Sequence, residues 1–148
     1  MKVRDQHHVG ITVSDLERSV AFYRDVLGMT VQNQGEAKGE FISRVVGVPG
    51  THVKTAYLSA GALSLELFQY ITPTGGKQQH STRPFDVGNY HLAFLVDDME
   101  EAYRELTSSG VKFADIPQYV AEGEAKGLGA IYFYDPDGIT LELIQKPK

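Results

Sequence analysis

The chain has 148 residues, 42% of them apolar and 22% charged, which suits one ordinary globular domain with a real core. Its net charge of −5 comes without a basic block, which argues against a nucleic-acid surface. It has no cysteine, so disulfides, thiolate metal sites and a cysteine nucleophile are excluded. No apolar run is long enough to span a membrane and Met1 to Gln6 lacks a leader-like apolar stretch, so a cytoplasmic protein is the expectation.

Two short strands organise the chain: His8-Val9-Gly10-Ile11-Thr12-Val13 and His91-Leu92-Ala93-Phe94-Leu95-Val96. Each opens with a histidine, alternates, and runs into an acidic helix start. In the first, Val9, Ile11 and Val13 share one face, while His8, Gly10 and Thr12 share the other. His7 then points to the face opposite His8. Ser14 stands three residues before Glu17, a capping-box spacing. The apolar stripe Leu16, Val20, Tyr23, Leu27 predicts a helix over Asp15 to Leu27, ended at Gly28. Met29 to Asn33 reads as a strand and Gln34 to Pro49 as a loop with a short helix. His52 to Leu58 and Ala62 to Tyr70 read as a hairpin about Ala60-Gly61. In its second strand Leu65 and Leu67 point one way, and Ser64, Glu66, Phe68 and Tyr70 the other.

Residues 71–89, with Thr72-Pro73-Thr74-Gly75-Gly76 and Arg83-Pro84, form a connector. The plan then repeats. Asp97 and Glu100 take the places of Ser14 and Glu17, and Met99, Tyr103 and Leu106 make the stripe. Val111 to Phe113 is a strand, and residues 121–129 are a glycine-rich loop. Ala130 to Tyr134 and Ile139 to Gln145 form a hairpin about Asp135-Pro136-Asp137-Gly138. Leu65-Glu66-Leu67-Phe68-Gln69 is matched by Leu141-Glu142-Leu143-Ile144-Gln145.

The expected fold is α+β: two tandem βαβββ modules, residues 6–70 and 90–146, forming a curved mixed sheet with a concave cleft, all in one domain of residues 1–148. His8, Glu66, His91 and Glu142 fall on the concave side at matching repeat positions. Two imidazoles and two carboxylates form an N₂O₂ set suited to a first-row divalent ion. Singly, each has an ordinary explanation: a surface histidine at a strand start, or a solvated glutamate in an alternating strand. It is the repetition that points to a site. Phe68, Tyr70, Leu95 and Ile144 are apolar where a solvated face should be polar, so they are candidate pocket walls, with His52 beside them. His52 and His80 have no repeat partner.

These segments, with Phe22-Tyr23-Arg24-Asp25-Val26-Leu27-Gly28, resemble the vicinal oxygen chelate superfamily: glyoxalase I, methylmalonyl-CoA epimerase, extradiol dioxygenases and fosfomycin-resistance enzymes. The resemblance runs from about residue 6 to 146. It implies one divalent metal ion (Ni, Co, Zn, Mn or Fe) on His8, Glu66, His91 and Glu142, with Glu142 or Glu66 as a catalytic base. The His, Glu, His, Glu order is that of glyoxalase I, although the arginine expected just past the first histidine is replaced by Thr12 and Val13. The activity implied is that of a metal-dependent lyase or isomerase, which removes a proton beside a chelated carbonyl of a small molecule. The rival readings are an extradiol-type Fe(II) dioxygenase on His8, His91 and Glu142, and a non-enzymatic small-molecule (antibiotic) binding protein. The resemblance also implies a homodimer, and charge and hydropathy predict no nucleic-acid or membrane partner.

Overall fold

The structure is a computed structural model that describes residues 2–76 and 83–147. His80 lies outside the described residues. The chain divides into two compact units, Met1–Gln78 and Gln79–Lys148. Each carries its own sheet of mixed strand orientation. No helix among the described residues is long and apolar enough to cross a membrane.

In the first unit, β1 (Val9–Thr12) lies parallel to β4 (Leu63–Thr72), which is antiparallel to β3 (His52–Ala60), itself antiparallel to β2 (Thr30–Lys38). The order is β1-β4-β3-β2. A parallel β1–β4 pair needs a long connection, and α1 (Leu16–Ala21), β2, α2 (Glu40–Val46) and β3 supply it. The expected apolar stripe is buried over most of its length: Leu16 and Val20 on α1 and Tyr23 just after it are at most 6% exposed, as are Ile11, Leu58, Leu65 and Leu67 on the sheet, whereas Leu27 is half-buried.

The helix ends differently from its sequence pattern. After Ala21 it widens into a π-helical turn over Phe22–Val26, where the Leu27 amide donates to the Phe22 carbonyl at 3.2 Å. The wider turn carries an extra residue and leaves both Tyr23 and Met29 buried on either side of Gly28, whose φ of 70° suits only glycine well. The second strand runs to Lys38, well past Asn33, with a bulge between Val31 and Asn33. The expected short helix is α2, none of whose residues is buried.

The second unit repeats the plan. β5 (Leu92–Leu95) is parallel to β9 (Thr140–Gln145), and β8 (Gly129–Tyr134) is antiparallel to β9 and to β6 (Lys112–Phe113). α3 (Met99–Ser108) buries Met99 and Leu106. A two-residue strand, β7 (Gln118–Tyr119), also pairs with β8 and was not expected. The second hairpin turns where anticipated. Asp135 is buried at its start, and its carboxylate accepts from the amides of Asp137 and Ile139 at 2.9 and 2.8 Å.

The helix starts need a correction. The N-caps are Asp15 and Asp98, not Ser14 and Asp97: their carboxylates accept from the amides of Arg18 and Glu101 at 2.9 and 3.0 Å. Each cap sits one residue later than the spacing suggested, and a further contact to each helix start comes from the sheet. Gln69 on β4 accepts from the Leu16 amide at 3.0 Å, and Gln145 on β9 accepts from the Met99 amide at 2.7 Å. This gives the repeated glutamine after Leu-Glu-Leu-Phe and Leu-Glu-Leu-Ile a physical role: it binds a helix start to its own strand.

Replacing Asp98 by Ala should cost about 1 kcal/mol, the usual worth of an N-cap. Gln145→Ala strands a buried amide and should cost about 1–3 kcal/mol. Urea midpoints of both variants check the pair, and a Gln145→Ala chain as stable as the parent would remove the role given to the glutamine.

Candidate active site

Strand register accounts for the site. In the β1–β4 ladder Gly10 stands beside Glu66, and in the β5–β9 ladder Ala93 stands beside Glu142. Neighbours in a ladder share a face, and side chains repeat that face every second residue. The residues two before Gly10 and Ala93 are His8 and His91, so each histidine shares a side with its glutamate. The intervening residue is small in both cases, which leaves the imidazole room to reach across. A Cβ added at Gly10 would stand 3.6 Å from Phe68 and 4.0 Å from the His8 ring, already ordinary contact.

The structure forms the same pair twice. His8 Nε2 is 3.0 Å from Glu66 Oε2, and His91 Nε2 is 3.1 Å from Glu142 Oε2. Glu66 is the more enclosed of the two carboxylates, with its side chain 9% exposed against 15% for Glu142. The structure therefore forms one His–Glu pair in each unit. Within neither unit do three or more described His, Asp or Glu side chains gather into one ligand group.

Three further side chains belong to these pairs. Tyr57 faces Glu66 across the β3–β4 ladder, and Tyr132 faces Glu142 across β8–β9. Tyr57 donates its hydroxyl to the Glu66 carboxylate, and its ring stands edge-on to His8 at 5.9 Å. Burial and, after it, that hydrogen bond push the Tyr57 phenol up to about 12, so it stays a donor through the neutral range. Tyr132 places its hydroxyl 3.3 Å from Nδ1 of His91.

In the first unit the Nδ1 contact is made by His7, whose Nδ1 is 2.7 Å from Nδ1 of His8. Strict alternation put His7 on the other side. It precedes the first strand residue, Val9, so its ring is not bound by the pleat. The tyrosines were legible in principle: once the turns at Gly61 and Asp135–Gly138 are placed, hairpin register sets Tyr57 opposite Glu66 and Tyr132 opposite Glu142.

The other candidates divide. Phe68 and Tyr70 lie on the Glu66 side of β4, and Ile144 lies on the Glu142 side of β9; all three are half-buried. Leu95 is 64% exposed, on the His91 side of β5. His52 is held 2.9 Å from Glu36 on the neighbouring strand, and that hydrogen bond lowers the Glu36 carboxyl.

Imidazole nitrogen and carboxylate oxygen are donor types that first-row divalent ions take, and each unit offers one of each, 3.0 and 3.1 Å apart, also the distance of a histidine–carboxylate hydrogen bond. A ligating histidine also needs a partner on its other ring nitrogen. His7 and Tyr132 provide it.

The chain matches the Glyoxalase/Bleomycin resistance protein/Dioxygenase superfamily over residues 5–143, and it belongs to that family. It is 34% identical to the 2-epi-5-epi-valiolone epimerase of an Actinomyces species, over 95% of this chain and 79% of that one. It is 29% identical to the lactoylglutathione lyase of Salmonella typhimurium, over 93% and 90% of the two chains. Among solved structures, a glyoxalase family protein from Bacillus cereus superposes with a TM-score of 0.86 at 21% identity, covering 100% of this chain and 97% of the other. The relatives include epimerases and lyases, so the family is one of lyase and isomerase type.

Proposed function

We propose that this protein is a divalent-metal-dependent isomerase of the epimerase and glyoxalase type, acting on a small molecule with an acidic C–H beside a carbonyl. His8, Glu66, His91 and Glu142 are its ion ligands. The observation that carries the reading is the duplicated His–Glu pair, each with its imidazole backed on Nδ1.

A bound ion would supply positive charge against the negative charge that develops on a carbonyl oxygen as the adjacent carbon loses its proton. The residues do the rest. Glu142 takes the proton from the α-carbon and becomes a carboxylic acid. An epimerisation is completed by a second acid that protonates the opposite face of the same carbon, and an isomerisation by Glu142 returning its proton to the neighbouring carbon. Phe68, Tyr70 and Ile144 restrict water near the carboxylates, which strengthens electrostatic interactions there.

The name of the Actinomyces relative favours epimerisation. Glu66 bears on the dioxygenase alternative. A triad of two histidines and Glu142 has no use for a second, more enclosed carboxylate paired in the same way.

The test is elemental analysis of protein purified without chelator or a His tag, beside a His8→Ala control. About one Ni, Co, Mn or Zn per four-residue site, lost in the control, is the expected result. It should be accompanied by exchange of a substrate α-proton for deuterium in D₂O, monitored by NMR. Iron with oxygen uptake on a catechol would replace this reading by the dioxygenase. Substoichiometric metal that His8→Ala leaves unchanged and added ions do not restore would replace it by a binding protein.

A further inference from the structure

The duplication leaves one element over. α2 joins β2 to β3 in the first unit, whereas β6 and β8 of the second unit are joined through β7 and, among the described residues, no helix. α2 is also turned against the usual pattern. α1 and α3 each bury apolar side chains, but α2 buries none. Its largest apolar side chain, Phe41, is 81% exposed, and Val45, one turn on, is 64% exposed, while Ile42 and Val46 are half-buried. A helix of seven residues is marginal on its own, and packing of an apolar face is what normally sustains it. Here the larger part of that face is a ridge turned outward.

The ridge is held in place. Gly39 (φ 98°) and Gly47 (φ 71°) bound the helix in conformations that favour glycine. The amide of Thr51 donates to Ser43 Oγ at 3.0 Å, and the Thr51 hydroxyl donates to the Val48 carbonyl at 2.7 Å. Beside the ridge lies a groove lined by Gly39, Ser43, Gly47 and Pro49 together with Glu40 and Arg44. Glu40 and Arg44 form an ion pair at 3.3 Å, with both side chains more than 80% exposed.

We infer that this face of α2 is a docking surface for a second copy of the chain, with the two helices antiparallel about a two-fold axis. The charges argue for that occupant. A two-fold contact sets residue i on j and j on i, so Glu40 of each copy meets Arg44 of the other. An acidic or a basic partner would meet one attraction and one repulsion on the same surface. The register also fits the shape. Each step along one helix is a step back along the other, so Phe41 comes level with Ser43 of the second copy and Val45 with its Gly39. Both are groove positions, and the ridge of each copy enters the groove of the other. Four charges then alternate in sign around the contact, where one copy alone has a single solvated pair of little worth. Two short helices make an interface at the small end of the specific ones, so the association is reversible.

The test is sedimentation velocity across a range of protein concentration, on wild type, Phe41→Ser, Glu40→Arg and Arg44→Glu, with an equimolar mixture of the two charge variants. Wild type should associate as its concentration rises. Phe41→Ser removes two anchors per dimer and should weaken association about tenfold or more. Each charge variant alone should weaken it about three- to tenfold. Their mixture should associate at least as well as wild type, because opposite charges then meet at both contacts. The substituted side chains are exposed, so thermal unfolding of each variant should stay close to wild type.

A wild-type chain that stays monomeric at every concentration overturns the inference and leaves the ridge to a partner of other chemistry. Association that Phe41→Ser leaves unchanged also overturns it, since the copies then meet elsewhere. A mixture of the charge variants that associates no better than either alone overturns it as well, since Glu40 and Arg44 would not face each other across a two-fold axis.

Discussion

Replacing Glu142 by Gln should lower turnover by about 10³-fold, within the 10²–10⁴-fold that a positioned base contributes. The amide has the shape of the carboxylate but cannot take a proton. Glu142 lies on β9 between the buried residues Leu141 and Leu143, which fix the strand, and its own side chain is partly open. The substitution therefore removes the base and leaves the core untouched. Far-ultraviolet circular dichroism and the urea midpoint should match wild type, and α-proton exchange on whatever substrate the parent accepts should fall with turnover. Undiminished exchange in Glu142→Gln would take the role of base away from this residue. Glu142 and Glu66 are both ion ligands in this reading, so ion occupancy is measured beside exchange in Glu142→Gln and in Glu66→Gln.

The largest stability effect is expected at Phe133. Its ring is fully buried on β8 and packs against Phe113 at 5.7 Å and Phe94 at 6.5 Å, with Tyr103 on α3 closing on Phe113 at 4.7 Å. This aromatic group joins β5, β6, β8 and α3. Phe133→Ala should destabilise the second unit by about 3–5 kcal/mol, from lost transfer energy and the cavity left behind. Denaturant unfolding measures it, and a loss under about 1 kcal/mol would mean that the neighbours collapse into the space. The neighbouring Tyr132 points to the other face, opposite Glu142. A change on the core side of β8 should therefore also loosen the site, and Co²⁺ affinity should fall along with stability.

Local chemistry wrote much of this protein directly into its sequence. The stripes Leu16-Val20-Tyr23 and Met99-Tyr103-Leu106 set two helices, because side chains spaced by three and four residues share a helical face. Alternation along Leu65-Glu66-Leu67 and Leu141-Glu142-Leu143 set which face each strand buries. The repeat of these patterns, with a histidine at the head of each half, marked His8, Glu66, His91 and Glu142 as candidates, since both members of a pair are placed by the same two-residue period.

Other features needed the chain to fold before they could be seen. Asp15 and Asp98 cap the helices because each is the last extended residue before its helix, one position after Ser14 and Asp97. The π turn at Phe22–Val26 and the bulge near Gln32 are adjustments of backbone to packing, which no spacing rule encodes. His7 reaches His8 because the chain before Val9 is not held in a pleat.

The difference between the two halves is also tertiary. Tyr57 and Tyr132 occupy the same place opposite their glutamates, and sequence alone makes them alike. Only the side-chain positions decide that the Tyr132 hydroxyl stands 3.3 Å from Nδ1 of His91, because register sets which residues face each other and not where a long side chain ends.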